Sequence, residues 1–144
     1  MSLRVPAVLR LFLTVPSALR RARVARFVNA YPNMEVEYEL EDAQDPVAGE
    51  PITMAVRLVR DVDEDDDGDQ IADSARYPGR KLVNWWLVVG DATSRALYGI
   101  KKVTVKSSLK TKLSFTLPQG SHRLKLYLIC DSYVGKSYCP FWTT

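Results

Sequence analysis

A chain of 144 residues with 47% hydrophobic residues is long enough for one ordinary domain with one core and too short for two. Its net charge of +3 conceals an asymmetry: eight acids stand between Asp61 and Asp73 with no base among them, so the remainder carries about +11. No apolar run approaches 18 residues, which argues against a membrane span. Two cysteines, Cys130 and Cys139, fit neither a disulfide framework nor a metal motif and point to a reducing compartment.

The first 34 residues hold six arginines and no acid. Residues 1–16 read as a leader, and its Arg-rich composition also fits a mitochondrial transit peptide. The competing reading is a lead-in helix over residues 17–32. Ser17 follows Pro16 as an N-cap, Val24, Phe27, Val28 and Tyr31 share helical spacing, and Pro32 ends the helix near Ala30. Such a helix docks Phe27 and Val28 on a neighbour and leaves its arginines to solvent or a partner.

From residue 33 to 144 the period is two. Met34, Val36, Tyr38 and Leu40 alternate with Glu35, Glu37, Glu39 and Glu41, the pattern of a half-buried strand with an acidic exposed face. A loop at Asp45-Pro46-Val47-Ala48-Gly49 leads to a second strand with Ile52, Met54, Val56 and Leu58 on one face. The two are expected to form an antiparallel meander.

The acidic loop, residues 61–81, opens like a calcium loop: Asp63-x-Asp65-x-Asp67-Gly68. Position twelve is Ser74 rather than a bidentate Glu, the apolar residue falls one place late at Ile71, and strands flank it. A solvated loop is the better reading, with a calcium-responsive sandwich as an alternative.

Trp85-Trp86-Leu87-Val88-Val89-Gly90-Asp91 is the most aromatic and β-prone stretch and is placed as the central strand. Adjacent strand residues point to opposite faces, so one tryptophan belongs to the core and the other to a contact surface. A turn at Asp91-Ala92-Thr93-Ser94 precedes a run with Leu97, Ile100, Val103 and Val105 apolar. Lys101, Lys102, Lys106, Lys110 and Lys112 crowd this half. Together with Trp85 and Trp86 they form the candidate partner surface, for an acidic protein or for RNA phosphate; an ordinary solvated face is the competing explanation. No aromatic residue is interleaved with the lysines as a single-strand binding platform requires. Leu113, Phe115 and Leu117 point inward on the next strand, and Leu124, Leu126 and Leu128 on the one after, up to Cys130. That makes six strands with room for a seventh. Pro140 interrupts a ladder near the end, so a last strand is short or at an edge.

Strands at regular spacing behind a single N-terminal helix predict an all-β fold, an immunoglobulin- or fibronectin-type antiparallel β-sandwich. Catalysis finds no support in the residues. The single histidine, His122, sits beside a turn in a solvated position, neither a phosphate loop nor a nucleophile elbow occurs, and Asp91 and Asp131 at strand ends read as turn caps. No catalytic residue, cofactor or metal is expected, and a sandwich of this kind is a binding or scaffolding module.

Four blocks in order carry a likeness to a known family: Val24-Ala25-Arg26-Phe27-Val28-Asn29-Ala30-Tyr31-Pro32-Asn33, Trp85 through Ala92, Ile100-Lys101-Lys102-Val103, and Leu126 through Gly135. Over residues 24 to 135 the chain resembles the carboxy-terminal immunoglobulin-like domain of the Sec-sixty-three homology unit, in the version of the spliceosomal U-five Ski-two-like RNA helicases. The resemblance implies a nuclear, ATP-dependent parent helicase acting in pre-mRNA splicing. This chain would be a non-catalytic domain of it, packed on the helicase body and contacting other spliceosomal proteins. It also implies an alternative, a translocation-associated domain of the endoplasmic reticulum protein that shares the unit.

Overall fold

In the computed structural model, which describes residues 18–41, 47–61, 70–74, 76–134 and 137–138, the two hydrophobic periods resolve into one helix and seven strands. The leader, the Ser17 cap, Asp45-Pro46, the calcium-like positions Asp63 to Gly68, Cys139 and Pro140 lie outside the described residues.

Helix α1, Ala18–Ala30, spans 13 residues rich in good helix formers. It tightens at its end, where the Tyr31 amide donates to the Val28 carbonyl at 3.3 Å, and Pro32 prevents further helix. Phe27 and Tyr31, four residues apart, meet as a tilted ring pair with centroids 5.8 Å apart. A boundary between compact units falls between Tyr31 and Pro32, and all the strands lie beyond it.

Those strands are β1 Asn33–Glu41, β2 Pro51–Asp61, β3 Trp85–Asp91, β4 Ala96–Val103, β5 Ser108–Thr116, β6 Leu124–Cys130 and β7 Ser137–Tyr138. They form a three-stranded sheet in the order β1-β2-β5 and a four-stranded sheet in the order β4-β3-β6-β7. Every pairing is antiparallel, and the fold is the expected all-β sandwich. The chain crosses between sheets after β2, β4 and β5, as packing of two inner faces requires. The tryptophan strand β3 is central, paired with β4 on one side and β6 on the other. The last strand is two residues long and lies at a sheet edge.

The core lies between the sheets. Met54, Val56 and Leu58 of β2, with Leu113 and Phe115 of β5, face Trp85, Leu87 and Val89 of β3 and Leu124, Leu126 and Leu128 of β6. Trp85 is 1% exposed and fills the largest volume among the fully buried side chains. It sits opposite Cys130 in the β3–β6 ladder; Cys130 is buried as a free thiol and packs as a small apolar group. Edge strand β1 contributes less, with Val36, Tyr38 and Leu40 only half-buried.

The second half of the acidic loop is not merely solvated. Ile71 bridges Leu82, the Val83 amide donates to the Gln70 carbonyl at 2.6 Å, and the Ala72 amide to the Lys81 carbonyl at 2.8 Å. Gln70 is buried, and the Asp73 amide donates to the Tyr133 hydroxyl at 2.8 Å. Backbone donors near a core find partners wherever they can, and here a short ladder supplies them. Burial pushes the Tyr133 phenol up despite that bond from Asp73.

Glycine is required at the end of β3. The ladder with β4 shifts register between Val89 and Gly90, and a Cβ on Gly90 would stand 2.8 Å from the Ala96 carbonyl oxygen. The turn that follows is capped by Asp91, whose Oδ1 accepts the amides of Thr93 at 2.7 Å and Ser94 at 3.3 Å, while Oδ2 accepts the Arg123 amide at 3.3 Å. Burial opposes ionisation of Asp91, but these three N–H donors hold its carboxyl below the usual range. The expected turn-cap role is the observed one.

Candidate interaction surface

Because successive strand residues alternate between faces, the register fixes what each sheet shows to the outside. On the three-stranded sheet the outer rows read Glu37, Arg57, Lys110 and Glu39, Ala55, Lys112, with Glu35 and Glu41 in the flanking rows. Acids on β1 thus face bases on β2 and β5. Arg57 Nη1 bonds Glu37 Oε2 at 2.7 Å, Lys112 Nζ reaches Glu41 Oε1 at 2.6 Å, and the hydroxyls of Thr53 and Ser114 pair at 3.2 Å. Such exposed cross-strand pairs contribute roughly 0.2–1 kcal/mol each. An open groove of about 670 Å³ runs over this face, lined by Glu37, Arg57, Lys110 and Lys112 among others. Its floor is these mutually compensating charges.

The outer face of the four-stranded sheet has a different character. One row holds Lys102, Trp86 and Ile129, and the next Ile100, Val88 and Tyr127. In the third, Gly90 lies between Leu97 and Lys125. Trp86 is 37% exposed, Ile129 40%, Ile100 53% and Leu97 60%. Burying an aliphatic side chain fully is worth about 1.5–3 kcal/mol relative to leaving it exposed, so contiguous apolar groups left half in water are informative where a single one is not.

The two tryptophans are therefore separated by function. Trp85 is core and cannot belong to a surface, which removes it from the candidate residues; Trp86 is the one that faces out. The lysines do not form one patch either. Lys102 lies on the apolar face, with Nζ 5.4 Å from the Trp86 ring centroid, within cation–π range. Lys101 turns to the sandwich edge, where its Nζ donates to the Lys112 carbonyl at 3.0 Å. Lys106 stands in the β4–β5 connection, and Lys110 and Lys112 are on the other sheet. Sequence proximity had grouped residues that the crossover between sheets separates. It also hid the aromatic beside Lys102, which pairing with β3 supplies across 16 positions of sequence. The outward positions Tyr127 and Ile129 were legible in the alternation of Leu124, Leu126 and Leu128, and Ile100 faces out by plain alternation from the buried Val103, whereas the exposure of Leu97 depended on the register shift at Gly90.

At the end of β6, Asp131 binds three segments together. Its Oδ1 accepts the Asn84 amide at 2.9 Å and the Ser132 hydroxyl at 2.6 Å, and its Oδ2 accepts Lys81 Nζ at 2.7 Å. Lys102 Nζ approaches to 3.9 Å. Burial alone would raise this carboxyl, but the Lys81 ammonium, the Ser132 hydroxyl and the Asn84 amide outweigh it and hold it at about 2. Asp131 is thus a structural anion that fixes the segment before β3 to the end of β6.

His122 is engaged rather than simply solvated. Its Nε2 donates to the Pro118 carbonyl at 2.8 Å, and its Nδ1 lies 3.3 Å from the Tyr98 hydroxyl, the rings meeting edge-on at 72°. A ring protonated at Nε2 leaves Nδ1 to accept the Tyr98 proton. Among the described residues no three His, Cys, Asp or Glu side chains are grouped to hold a metal ion, and no helix is long and apolar enough to cross a membrane.

This sandwich matches the family model described as the Sec63 Brl domain over residues 6–139, a span that takes in most of the arginine-rich leader beyond the four blocks. It is 37% identical over 118 residues, 81% of the chain, to the pre-mRNA-splicing factor brr2 of Schizosaccharomyces pombe. It is 40% identical over 115 residues, 79% of the chain, to the human U5 small nuclear ribonucleoprotein 200 kDa helicase. To the DExH-box ATP-dependent RNA helicase DExH12 of Arabidopsis thaliana it is 40% identical over 114 residues, 78% of the chain. In each case the matched segment is about 5% of the relative's length. A family model covering nearly the whole sandwich, and relatives at these identities, leave one conclusion: the chain belongs to the Sec63 Brl domain family.

Proposed function

We propose that this chain is a non-catalytic, protein-interacting accessory domain of a nuclear ATP-dependent RNA helicase that acts in pre-mRNA splicing. The observation that carries the reading is the identity of 37–40% across about four-fifths of the chain to proteins named as splicing factors and RNA helicases. The match to only about 5% of those relatives supports a role as one part of a larger machine, with the helicase body and other spliceosomal proteins as its partners. Every strongly held polar group described above has a structural explanation: Asp91 caps a turn, Asp131 joins segments, and His122 fastens the β5–β6 connection to β4. A dispersed set of lysines, two of them on a face with its own acids, favours protein contact over an RNA track.

The purified chain should show no RNA-stimulated ATP hydrolysis, and measurable turnover would overturn the accessory role. A tagged parent protein should concentrate in the nucleus. Its appearance at the endoplasmic reticulum would instead favour the translocation-associated reading.

A further inference from the structure

Resting on the interaction-module reading and deepening it, we infer that the outer face of the four-stranded sheet seats a polypeptide segment whose apolar side chains are flanked by carboxylates. Trp86, Ile100 and Ile129 form an exposed apolar floor on three adjacent strands. The charged residues described in those rows, Lys102 and Lys125, are both cations; the nearest acid, Asp131 at the end of β6, lies 3.9 Å from Lys102 but is already held by Lys81 at 2.7 Å, so that end of the face keeps a net positive charge. Lys125 lies four residues along β6 from Ile129, and Lys102 two strands across from Ile129, so the cations bracket the floor from opposite corners, about 16 Å apart. Apolar groups of a partner would cover the floor and carboxylates at its two ends would meet the ammonium groups. Charge complementarity of this kind sets register and excludes wrong partners.

The same features argue against the other occupants. Single-stranded RNA needs a row of cations with several rings on which bases stack; this face has one exposed tryptophan, and Lys110 and Lys112 lie on the opposite sheet beside Glu39 and Glu41. A second copy that met this face with its own equivalent face would set Lys102 and Lys125 against the same cations.

The test titrates the isotope-labelled 144-residue chain, followed by amide and indole NMR shifts, with three probes. These are a twelve-residue peptide with a Leu/Phe core between paired glutamates, the same core between paired lysines, and a twelve-nucleotide single-stranded RNA. The glutamate-flanked peptide should give saturable shifts at Trp86, Ile100 and Ile129 and bind at least tenfold more tightly than the lysine-flanked one. Trp86→Ser should weaken it at least tenfold, and the paired changes Lys102→Glu and Lys125→Glu should reverse the preference. Should Trp86→Ser lose cooperative unfolding, Ile100→Ser on the edge strand reads the same floor. No saturable shift, equal binding of the two peptides, shifts confined to β1 and β5, RNA shifting the Trp86 rows, or self-association through them would each overturn the inference. ATP turnover by the chain would remove the accessory role while leaving a mapped peptide surface intact, so the two failures are distinguishable.

Discussion

The two outward faces of this sandwich solve the same exposure problem in opposite ways. The three-stranded sheet meets water with acids on β1 facing bases on β2 and β5, and closes much of that charge on itself through Arg57–Glu37 and Lys112–Glu41. The four-stranded sheet leaves Trp86, Ile100 and Ile129 partly in water and places lysines around them. A face whose charges find each other needs no further partner, whereas an apolar face gains by being covered. Surface lysines are thus a poor guide to a binding site until the register shows what stands opposite them.

The largest expected effect separates the adjacent tryptophans. Trp85→Ala should cost about 3–5 kcal/mol because it empties a fully packed site, while Trp86→Ala should cost less than about 1 kcal/mol in stability. Urea unfolding midpoints of the two variants measure the contrast, and similar losses would mean that Trp86 is as much core as Trp85.

Next comes the anion beside the apolar face. Asp131→Ala should destabilise by about 2–3 kcal/mol, since it strands the Asn84 amide and the Lys81 ammonium without their acceptor. The carboxyl is held at about 2 in the folded chain, below its ordinary value of 3.8. Its contribution is therefore present in full above that ordinary value and is lost as pH falls toward 2. Unfolding midpoints of the parent and variant chains should converge over that acid range and stay well apart at neutral pH.

The smallest effect tests the charged face. A double-mutant cycle on Glu37 and Arg57 should return a coupling of roughly 0.2–1 kcal/mol that fades at high salt, because both side chains are about half exposed or more. A coupling several times larger would mean that this ladder holds the sandwich together, and the contrast between the faces would fail.

Much of this was legible in the residues themselves. Alternation placed β1, β2, β5 and β6, because period-two burial is a local property, while β-prone composition placed β4 and announced the Trp85 to Asp91 stretch as the central strand. The four ordered blocks reached the family by resemblance, which periodicity alone does not supply. What could not be read was pairing over long sequence separations. Which tryptophan faced inward depended on the inner rows of β2 and β6. The splitting of Lys101 and Lys102 from Lys110 and Lys112 followed from the chain crossing between sheets, and the placement of Leu97 from a register shift at Gly90. The anion Asp131 looked like a turn cap because its partners Lys81 and Asn84 lie about fifty positions earlier.

The proposed docking surface is the four-stranded face and not its charged counterpart. Dissociation constants for the glutamate-flanked peptide, measured with Trp86→Ser and Arg57→Ser chains of matched stability, test it most directly. At least a tenfold weakening is expected for Trp86→Ser and less than a twofold change for Arg57→Ser; equal losses, or a larger loss at Arg57, would move the surface off the four-stranded face.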